Sequence, residues 1–600
     1  MNEEIYDEHR DYIEALGDWK RTHTAGELRK EDVGKEVCIM GWVQRKRVVA
    51  SAVFVILRDR YGLVQIAFSK EQEELYRKAS LVRSEYVIAV KGIVQERPQG
   101  MSNTAMPTGE IEITPIECKI LNVSKTPPFV IEDAIEANED TRLTYRYLDL
   151  RRQVMTKNII LRSKVAYAVR RFFIKKGFLE IETPFLIRAT PEGARDYLVP
   201  SRVHEGKFFS LPQSPQQFKQ LLMMSGFDRY FQIVRCFRDE DLRADRQPEF
   251  TQIDVELSFA TEEVIQQIAE EMIAYVMKES IGQEISLPLP RMTYKEAMER
   301  YGVDKPDTRF GMELISCTEC FRSSTIEAFA QAETIKALCV PRSFTRKEID
   351  IYTDFVKRYG ATGLGVIKVT SQGWESPLIK ACPDALSLLQ ERISAQEGDT
   401  ILIQAGNEDI VNAGLGNLRV YIAEYCGMIP EDVFNLLWIT DFPLFEEDKE
   451  NNRFVACHHP FTSIHPDDTE LLFTDTKHVR ARAYDMVLNG TEIGGGSIRN
   501  YTIQQQRDIF QALGFSEEEA YAQFGYFLEA LEYGTPPHGG IAFGFDRIVA
   551  LLAGTQSIRD VIPFPKTQKA TCLMTSAPSV ASQEQLEELH IHITRDEKRD

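Results

Sequence analysis

Several features that mark other classes of protein are missing from these 600 residues. No apolar run approaches the ~18 residues that a membrane-spanning helix needs. The acidic N-terminus, residues 1–18, contains no apolar core of a signal peptide. Ten cysteines are scattered along the chain, too thinly for a disulfide framework. The sequence therefore predicts no membrane partner and favours a cytoplasmic location, where thiols stay reduced.

An excess of positive charge is also missing, since the net charge is −20. Affinity for a phosphate backbone comes largely from Lys and Arg, so the total charge argues against a nucleic-acid partner. The distribution of charge matters more than its sum. Basic residues cluster at 45–47 and 142–152, whereas the acid excess falls in predicted helices at 262–279 and 516–532. The total charge therefore does not exclude a local surface that binds nucleic acid.

The most informative segment is an arginine-rich turn between two predicted strands, 230–234 and 250–257. From residue 237 to residue 254 it reads FRDEDLRADRQPEFTQID. Guanidinium groups bind phosphate oxygens bidentately, and neighbouring acids can hold those groups in place. The charge pattern alone leaves two hypotheses open, a phosphate-binding site and a salt-bridged hairpin.

Short segments near the N-terminus alternate between apolar and polar residues, as strands do. They are 37–43, 52–57, 64–68, 86–95 and 110–118, with a predicted helix at 72–80. A helix between the third and fourth of five strands is typical of an OB-fold barrel, a common platform for single-stranded nucleic acid. Farther along, 154–176 has helical spacing and ends at Gly177, a residue that favours a helix C-terminus.

Three motifs resemble those of the class II aminoacyl-tRNA synthetases and occur in family order. They are FLEIETP at 178–184 (motif 1), FRDE at 237–240 (motif 2) and GIAFGFDR at 540–547 (motif 3). The longer segment 237–252 resembles the bacterial type of aspartyl-tRNA synthetase, and the resemblance extends over about residues 22–590. It implies an α+β multidomain fold and a homodimer formed through motif 1, whose proline lies at the interface.

The resemblance also predicts the order of domains. They are an acidic extension (1–21), a five-stranded OB barrel that binds the anticodon (22–122), a linker (123–142), a catalytic domain with an antiparallel sheet and flanking helices (143–307 and 429–600), and an inserted α+β domain (308–428). The insertion carries no catalytic motif, and the bacterial-type enzymes share this domain with a tRNA amidotransferase subunit.

The resemblance assigns an ATP site to motifs 2 and 3. Arg238 binds the α-phosphate and stabilises the transition state, Arg547 binds the γ-phosphate, and Arg246 lies near the triphosphate. Phe250 stacks on adenine, and Glu240 accepts from the adenine amino group. The residues alone leave two alternatives, in which Phe250 is a core strand residue and Arg547 pairs with the aspartate before it.

Asp485 and Glu492 are the predicted ligands of Mg²⁺, which prefers hard oxygen atoms. Segment 483–490 is a predicted strand and turn, followed by 492–497, so we expect the two acids to face one another across a hairpin. The glycines at 494–496 let backbone approach a ligand closely. A glycine run is by itself also typical of a tight turn.

The segment LPQSPQQFK at 211–219 is close to specific for the aspartyl enzymes. The resemblance predicts an aspartate pocket made of Glu192, Ser214, Gln216, Lys219, Asp254, His459 and Arg499. Lys219 and Arg499 pair with the side-chain carboxylate of the substrate, while Asp254, Ser214 and Gln216 accept from its ammonium group. Residues 190–196 resemble the flexible loop that closes over bound aspartate, although a solvated turn would have the same composition.

Two short motifs suggest metal but are assigned otherwise. His458 and His459 are adjacent, yet no third or fourth zinc ligand lies at useful spacing. Cys317 and Cys320 form a single CxxC, for which structural thiols are favoured over a metal site.

For tRNA, the resemblance predicts an anticodon site on the barrel. Phe54 stacks on the central anticodon base and Gln65 hydrogen-bonds to it, while Arg45 and Arg47 meet phosphates or base edges.

The sequence departs from the family beside these residues. Val48-Val49-Ala50 stands where Asp, then Leu or His, then Gly are usual, and Ile56 stands where an acid is usual. These positions bear on how the anticodon is read.

The predicted activity is ATP-dependent attachment of L-aspartate to tRNA-Asp. One alternative is an enzyme that charges both tRNA-Asp and tRNA-Asn. A non-catalytic tRNA-binding relative is disfavoured, because Arg238, Asp485, Glu492 and Arg547 are all present.

Overall fold

The computed structural model describes residues 6, 9–189, 193–322 and 324–594. It divides into two compact units, residues 1–160 with 559–580, and residues 161–558 with 581–600. Within the described ranges, no helix combines the length and apolar character that crossing a membrane requires.

The first unit contains a closed five-stranded barrel in the order β1-β2-β3-β5-β4. The strands are β1 (Glu36–Val48), β2 (Ala52–Asp59), β3 (Gly62–Ser69), β4 (Val87–Glu96) and β5 (Ile111–Asn122), and helix α1 (Glu73–Leu81) lies between β3 and β4. Alternate residues such as Val53, Val55 and Leu57 fill the barrel core. The predicted OB barrel is confirmed, with strands that extend somewhat beyond the predicted bounds.

The basic cluster at 142–152 serves the packing of the first unit instead of forming an open patch. It spans helices α2 (Glu139–Thr144) and α3 (Arg146–Asp149). The fully buried carboxylate of Asp149 accepts from Arg142 at 3.0 Å, from Arg146 at 2.6 Å and from Arg152 at 2.7 Å. Because three guanidinium groups surround one acid, most of this positive charge is unavailable to phosphates.

The second unit is built on an eight-stranded sheet in the order β11-β17-β20-β21-β22-β10-β9-β6. Its strands are β6 (Leu179–Glu180), β9 (Arg229–Phe237), β10 (Glu249–Ser258), β11 (Arg291–Thr293), β17 (Leu436–Thr440), β20 (Ala483–Leu488), β21 (Thr491–Ile498) and β22 (His538–Gly544). Two-stranded sheets are formed by β7 (Leu198–Pro200) with β8 (Phe208–Ser210) and by β18 (Phe445–Asp448) with β19 (Arg453–Ala456). The large sheet is antiparallel except where β6 meets β9 and β11 meets β17.

Outside the insertion, the chain segments before, between and after these strands form helices. They are α4 (Gln153–Lys175), α5 (Gln216–Met224), α6 (Glu262–Ile281), α7 (Tyr294–Tyr301), α13 (Ile503–Ala512), α14 (Glu517–Leu531), α15 (Phe545–Ala553) and α16 (Gln583–Glu588). The predicted helix 154–176 is therefore confirmed, and Gly177 beyond its end adopts a positive φ of 78°. The strands predicted around the arginine-rich turn are also confirmed as β9 and β10, which pair antiparallel.

A separate five-stranded sheet, in the order β12-β13-β16-β14-β15, occupies the predicted insertion. Its strands are β12 (Leu314–Ser316), β13 (Thr334–Val340), β14 (Gly365–Thr370), β15 (Gly373–Glu375) and β16 (Thr400–Gly406), and its helices are α8 (Glu327–Ala330), α9 (Arg346–Lys357), α10 (Pro377–Ala381), α11 (Pro383–Arg392) and α12 (Glu408–Tyr425). Cys317 and Cys320 are buried in its apolar core. No group of three acid, His or Cys side chains is placed for a metal in the described part of the chain.

The two ends of the insertion meet. The guanidinium of Arg309 donates to the carbonyl of Pro430 at 3.2 Å. The fully buried Arg419 donates to carbonyls of the entering chain, including those of Asp307 and Phe310, at 2.9 Å each. The flanking strands β11 and β17 are themselves hydrogen-bonded neighbours. The catalytic sheet thus runs past the insertion without interruption.

Candidate active site

A cavity of about 370 Å³ lies in the second unit. It is lined by side chains of β10, β20, β21 and β22 and of helices α5 and α15. The predicted residues that line it are Ser214, Gln216, Lys219, Arg238, Glu240, Arg246, Phe250, Asp254, His459, Asp485, Glu492, Arg499 and Arg547. Glu192 lies outside the described residues. One cavity therefore brings together the candidates for amino acid, nucleotide and metal.

A buried network of charges forms one end of the cavity. Lys219 Nζ lies 2.7 Å from Asp254 Oδ1 and 3.3 Å from Glu256 Oε2. Arg499 reaches the other side of Glu256, with Nε 3.0 Å from Oε1. All four residues are 2% exposed or less. Each cation is thus held in place by an acid, as buried charges require.

Two acceptors in this network bear on what it can bind. Asp254 Oδ2 is buried and accepts no hydrogen bond from the described residues, so it can receive a donor from a ligand. His459 Nε2 lies 2.6 Å from Arg499 Nη1. Burial and the positive charge of Arg499 lower the pKa of His459 well below its usual value, so the imidazole is neutral and accepts from the guanidinium.

The two carboxylates of the network differ in their titration. Burial is the largest influence on both and opposes their negative charge. For Asp254 burial prevails over Lys219 and raises the pKa. For Glu256 the attraction of Arg499 and Lys219 prevails and lowers the pKa. Glu256 is therefore the permanent counterion that holds both cations.

Arg238 and Phe250 also line the cavity. The guanidinium carbon of Arg238 lies 5.1 Å from the ring centroid of Phe250. Arg238 Nε is buried and has no hydrogen-bond partner within the described ranges. Phe250 is half-buried and lines the cavity, which favours the stacking role over the alternative of a core strand residue.

The other cations on this side are paired near the surface. Arg246 Nη1 lies 2.9 Å from Glu240 Oε2. Arg547 Nη1 donates to the backbone carbonyl of Glu492 at 2.6 Å, and its Nη2 lies 3.2 Å from Asp245. The carboxylate before Arg547 faces elsewhere, because Asp546 pairs with Arg162 at 2.5 Å. The alternative ion pair within motif 3 is therefore not the arrangement found.

The register of the two acidic candidates differs from the expectation. Asp485 and Glu492 lie on neighbouring strands but not opposite one another, since Asp485 pairs with Gly495 and Glu492 pairs with Val487. A β-bulge between Met486 and Val487 shifts the register. Both acids nevertheless line the cavity.

These two acids form a pair suited to a hard divalent cation. Asp485 Oδ1 is buried and has no hydrogen-bond partner in the described structure, although His458 Nε2 lies 3.8 Å away. Burial and the nearby charge of Asp485 raise the pKa of Glu492. A Cβ built on Gly495 would stand 2.5 Å from Asp485 Oδ1, so glycine keeps the space between the acids open. Two carboxylates beside the same glycine offer the hard oxygen ligands that Mg²⁺ prefers.

Sequence analysis missed residues that complete the site. Glu256 holds Lys219 and Arg499, and Ser497 accepts from Arg499 at 2.6 Å. A signal for Glu256 existed, because two acids two residues apart in an otherwise apolar strand point to one face. No comparable signal marked Ser497, whose partner becomes adjacent only when β21 forms.

The predicted anticodon residues share the outer face of the barrel. Arg45 pairs with Ile56, Arg47 with Phe54, and Ile56 with Gln65 across β1, β2 and β3. The guanidinium carbon of Arg47 lies 5.1 Å from the ring centroid of Phe54. Directly paired residues point to the same side of a sheet. Stacking, basic and hydrogen-bonding groups thus lie side by side on this face.

Comparison with known families gives two matches. Residues 138–568 match the model of "tRNA synthetases class II (D, K and N)", and residues 37–121 match an OB-fold nucleic acid binding domain of the tRNA anticodon type. Two solved asparaginyl-tRNA synthetases share the fold. The enzyme of Pyrococcus horikoshii has a TM-score of 0.58 at 18% identity, covering 91% of this chain and 98% of that one, and the enzyme of Entamoeba histolytica has 0.57 at 16%, covering 90% and 97%.

Curated relatives are similar along the whole chain. A protein of Nitratidesulfovibrio vulgaris is 55% identical over 99% of this chain and 98% of its own length, and one of Geobacillus is 51% identical over 96% and 99%. Both carry the name aspartate–tRNA(Asp/Asn) ligase. With the motifs, the sheet and these matches in agreement, the chain belongs to the class II tRNA synthetases (D, K and N).

Proposed function

We propose that this chain attaches L-aspartate to tRNA in two steps. A carboxylate oxygen of aspartate displaces pyrophosphate from the α-phosphate of ATP and forms aspartyl-adenylate. The 3′-terminal adenosine hydroxyl of tRNA then attacks the activated carbonyl and releases AMP. The observation that supports aspartate is the pair of buried cations, Lys219 and Arg499, that line the cavity.

The charge network favours an acidic side chain over an amide or an amine. The two buried cations complement a negatively charged side chain, whereas an amide brings them no charge and an ammonium group is repelled by them. We assign Lys219 and Arg499 to the substrate carboxylate and the open Oδ2 of Asp254 to its ammonium group, together with Ser214 and Gln216. Glu192 is proposed to join them on sequence grounds alone.

On the nucleotide side, the site must neutralise two anionic reactants and hold them in line. We assign Arg238 to the α-phosphate, where its fork also stabilises the transition state. Phe250 offers a face for adenine and Glu240 an acceptor for the adenine amino group. Arg246 and Arg547 lie toward the other phosphates.

Mg²⁺ would be held by Asp485 and Glu492, where it would offset the charge of the phosphates. The unpartnered oxygen of Asp485 and the raised pKa of Glu492 support this assignment.

An amino-acid panel tests the proposal. Pyrophosphate exchange is measured with aspartate, asparagine and lysine, the three amino acids of this family. Aspartate is expected to support exchange, with kcat/KM at least about 100-fold above the others, since unpaired buried charges penalise the wrong substrate. Equal or better exchange with asparagine or lysine would refute the aspartate assignment.

A second candidate, charging of both tRNA-Asp and tRNA-Asn, is favoured by the names of the relatives. It also accords with the residues beside the proposed anticodon site, where Val48 and Val49 are exposed and Ile56 lies on the barrel face. Purified tRNA-Asp and tRNA-Asn are aspartylated in parallel. Charging of both supports the broader function, whereas charging of tRNA-Asp alone supports the strict one.

The barrel face is tested by Phe54→Ala. A lost stack on a base is expected to cost about 1–3 kcal/mol in kcat/KM for tRNA. Aspartate-dependent pyrophosphate exchange without tRNA should not change. Ile116→Ala, which removes an exposed apolar side chain from β5 of the same barrel, is the matched control. An unchanged rate of aspartylation at limiting tRNA would place Phe54 among residues that only support the barrel.

We also propose a homodimer through motif 1 and activity in the cytoplasm. Leu179, Phe185 and Leu186 in and beside motif 1 are 43–53% exposed, as expected of apolar residues that a partner covers. All ten cysteines are free thiols, which suits a reducing compartment. Analytical ultracentrifugation of the full chain tests the dimer.

A further inference from the structure

The carboxylate of Asp546 joins three elements of the catalytic unit. Asp546 is in the first turn of α15 and is 3% exposed. Its Oδ1 accepts from Arg162 Nη1 on α4 at 2.5 Å, and its Oδ2 accepts from the backbone N–H of Thr251 on β10 at 2.7 Å. The proposed substrate contacts described above do not use this carboxylate.

The hydrogen bond to Thr251 takes the place of a backbone hydrogen bond beyond the end of β22. β22 ends at Gly544, which pairs with Gln252, so Thr251 lies one residue beyond the last paired position. The Asp546 carboxylate takes the place that a further residue of β22 would have occupied. An acid in the first turn of α15 is also stabilised by the helix dipole. The Asp546 side chain thus fixes the position at which β22 ends and α15 begins.

Arg162 completes the arrangement from the helix before motif 1. Its Nη2 donates to Thr251 Oγ1 at 3.2 Å, and its guanidinium carbon lies 4.6 Å from the ring centroid of Phe545. Its side chain is 15% exposed. A planar group with several donors can contact Asp546 and Thr251 together, which a lysine cannot do.

The residues next to this pair are those proposed to hold ATP. Phe250 precedes Thr251 and Arg547 follows Asp546, and all four residues line the cavity, whereas Arg162 does not. We propose that Arg162 and Asp546 are positioning residues that set the separation of Phe250 and Arg547 and thereby the affinity for ATP. This inference rests on the proposed function only in requiring that the cavity binds ATP.

The test compares the KM values of ATP and aspartate in pyrophosphate exchange. Arg162→Leu and Asp546→Asn are each expected to raise the KM of ATP about tenfold, because small misplacement of binding groups is costly. The KM of aspartate should change less than about twofold, since its pocket lies on other residues. Arg162→Lys should give an intermediate rise, and the double variant should be no worse than the poorer single one.

A matched control separates positioning from stability. Arg482 pairs with Glu262 at 2.5 Å in the same unit and does not line the cavity. Arg482→Leu is expected to lower the melting temperature about as much as Arg162→Leu does, without changing the KM of ATP. Parallel rises in both KM values, or an ATP effect of Arg482→Leu equal to that of Arg162→Leu, would overturn the inference.

Calorimetric titration with ATP, without amino acid, keeps the two proposals apart. Weaker ATP binding by Arg162→Leu and Arg162→Lys than by the wild type supports the positioning role of Arg162 and Asp546, whichever amino acid the enzyme activates. Equal ATP binding by the wild type and the variants refutes that positioning role and leaves the proposed function intact. A wild type that binds ATP but does not exchange with aspartate refutes only the amino-acid assignment.

Discussion

The cavity residues proposed for the amino acid and those proposed for the nucleotide are held by different kinds of charge pair. Lys219, Arg499, Asp254 and Glu256 are each 2% exposed or less, and their ion pairs are closed among themselves. At the nucleotide end, the Arg246–Glu240 pair has side chains 43% and 30% exposed. Buried pairs fix geometry and are costly to break, whereas exposed pairs contribute about 0–1 kcal/mol.

This difference matches what each end must recognise. A small carboxylate can be selected only by cations whose positions are set in advance, so their counterions must be buried with them. A triphosphate brings enough charge to exchange weak surface pairs for stronger contacts of its own. Substitutions within the buried pairs should therefore have larger and more selective effects than substitutions within the exposed pair of Arg246 and Glu240.

Lys219→Met should have the largest effect. It leaves Asp254 and Glu256 with one cation fewer, and the loss of one partner of a buried pair costs roughly 2–5 kcal/mol. Aspartate-dependent pyrophosphate exchange should be abolished while calorimetric binding of ATP stays near that of the wild type. Lys278→Met removes an exposed lysine of the same unit and is the control. A change below about threefold in aspartate activation would contradict the pocket assignment.

Arg238→Lys should come next, although it keeps the positive charge. A lysine cannot reproduce the bidentate contact with phosphate oxygens, so kcat is expected to fall about 100-fold with a smaller change in the KM of ATP. Steady-state and single-turnover exchange measure the split between the two parameters. Small and equal changes in both would argue against a transition-state role and would weaken the contrast between the two ends.

Glu256→Gln should have an intermediate and selective effect. The amide can still accept from Arg499 but no longer offsets the charge of Lys219 and Arg499, so the KM of aspartate should rise about tenfold. The KM of ATP should stay unchanged. Glu240→Gln, at the exposed end, is the matched carboxylate-to-amide control. A comparable effect of both variants on aspartate would remove the distinction between the two ends.

Arg246→Ala should have the smallest effect. Its ion pair with Glu240 is partly exposed. The free energy of unfolding, measured by urea denaturation, should therefore fall by at most about 1 kcal/mol. The KM of ATP is expected to rise only a few-fold, about threefold, because other cations share the phosphates. A loss of exchange activity as large as that of Lys219→Met would show that the exposed pair is also held in a fixed position before substrate binds.

Much of the fold could be predicted because the decisive patterns are local. Alternation along 37–118 located the barrel strands, and the apolar flanks of the arginine-rich turn located β9 and β10. The register of Asp485 with Gly495 could not be predicted, because a bulge adds a residue without changing the strand pattern. The residues predicted for amino acid, nucleotide and metal, other than Glu192, line one cavity, whereas the predicted anticodon residues lie on the barrel strands.

What the sequence concealed is how the charges pair. Glu256 holds cations that are distant in the chain, at 219 and 499, and Asp546 binds Arg162 rather than its neighbour Arg547. Pairing of this kind depends on which elements become adjacent, and a single sequence carries no direct record of it. Resemblance to a family named the residues proposed to contact substrate but not the residues that hold them in place.

The meeting of the two ends of the inserted domain has an evolutionary consequence. Because Arg309 contacts Pro430 and β11 is hydrogen-bonded to β17, the catalytic sheet experiences the whole insertion as one long loop. Closing a loop becomes only slowly more costly as it lengthens, by about 0.6 kcal/mol for each doubling. Lineages can therefore enlarge, shrink or replace this domain with little penalty for the geometry of the reaction, and its surface is free to evolve faster than the sheet that carries it.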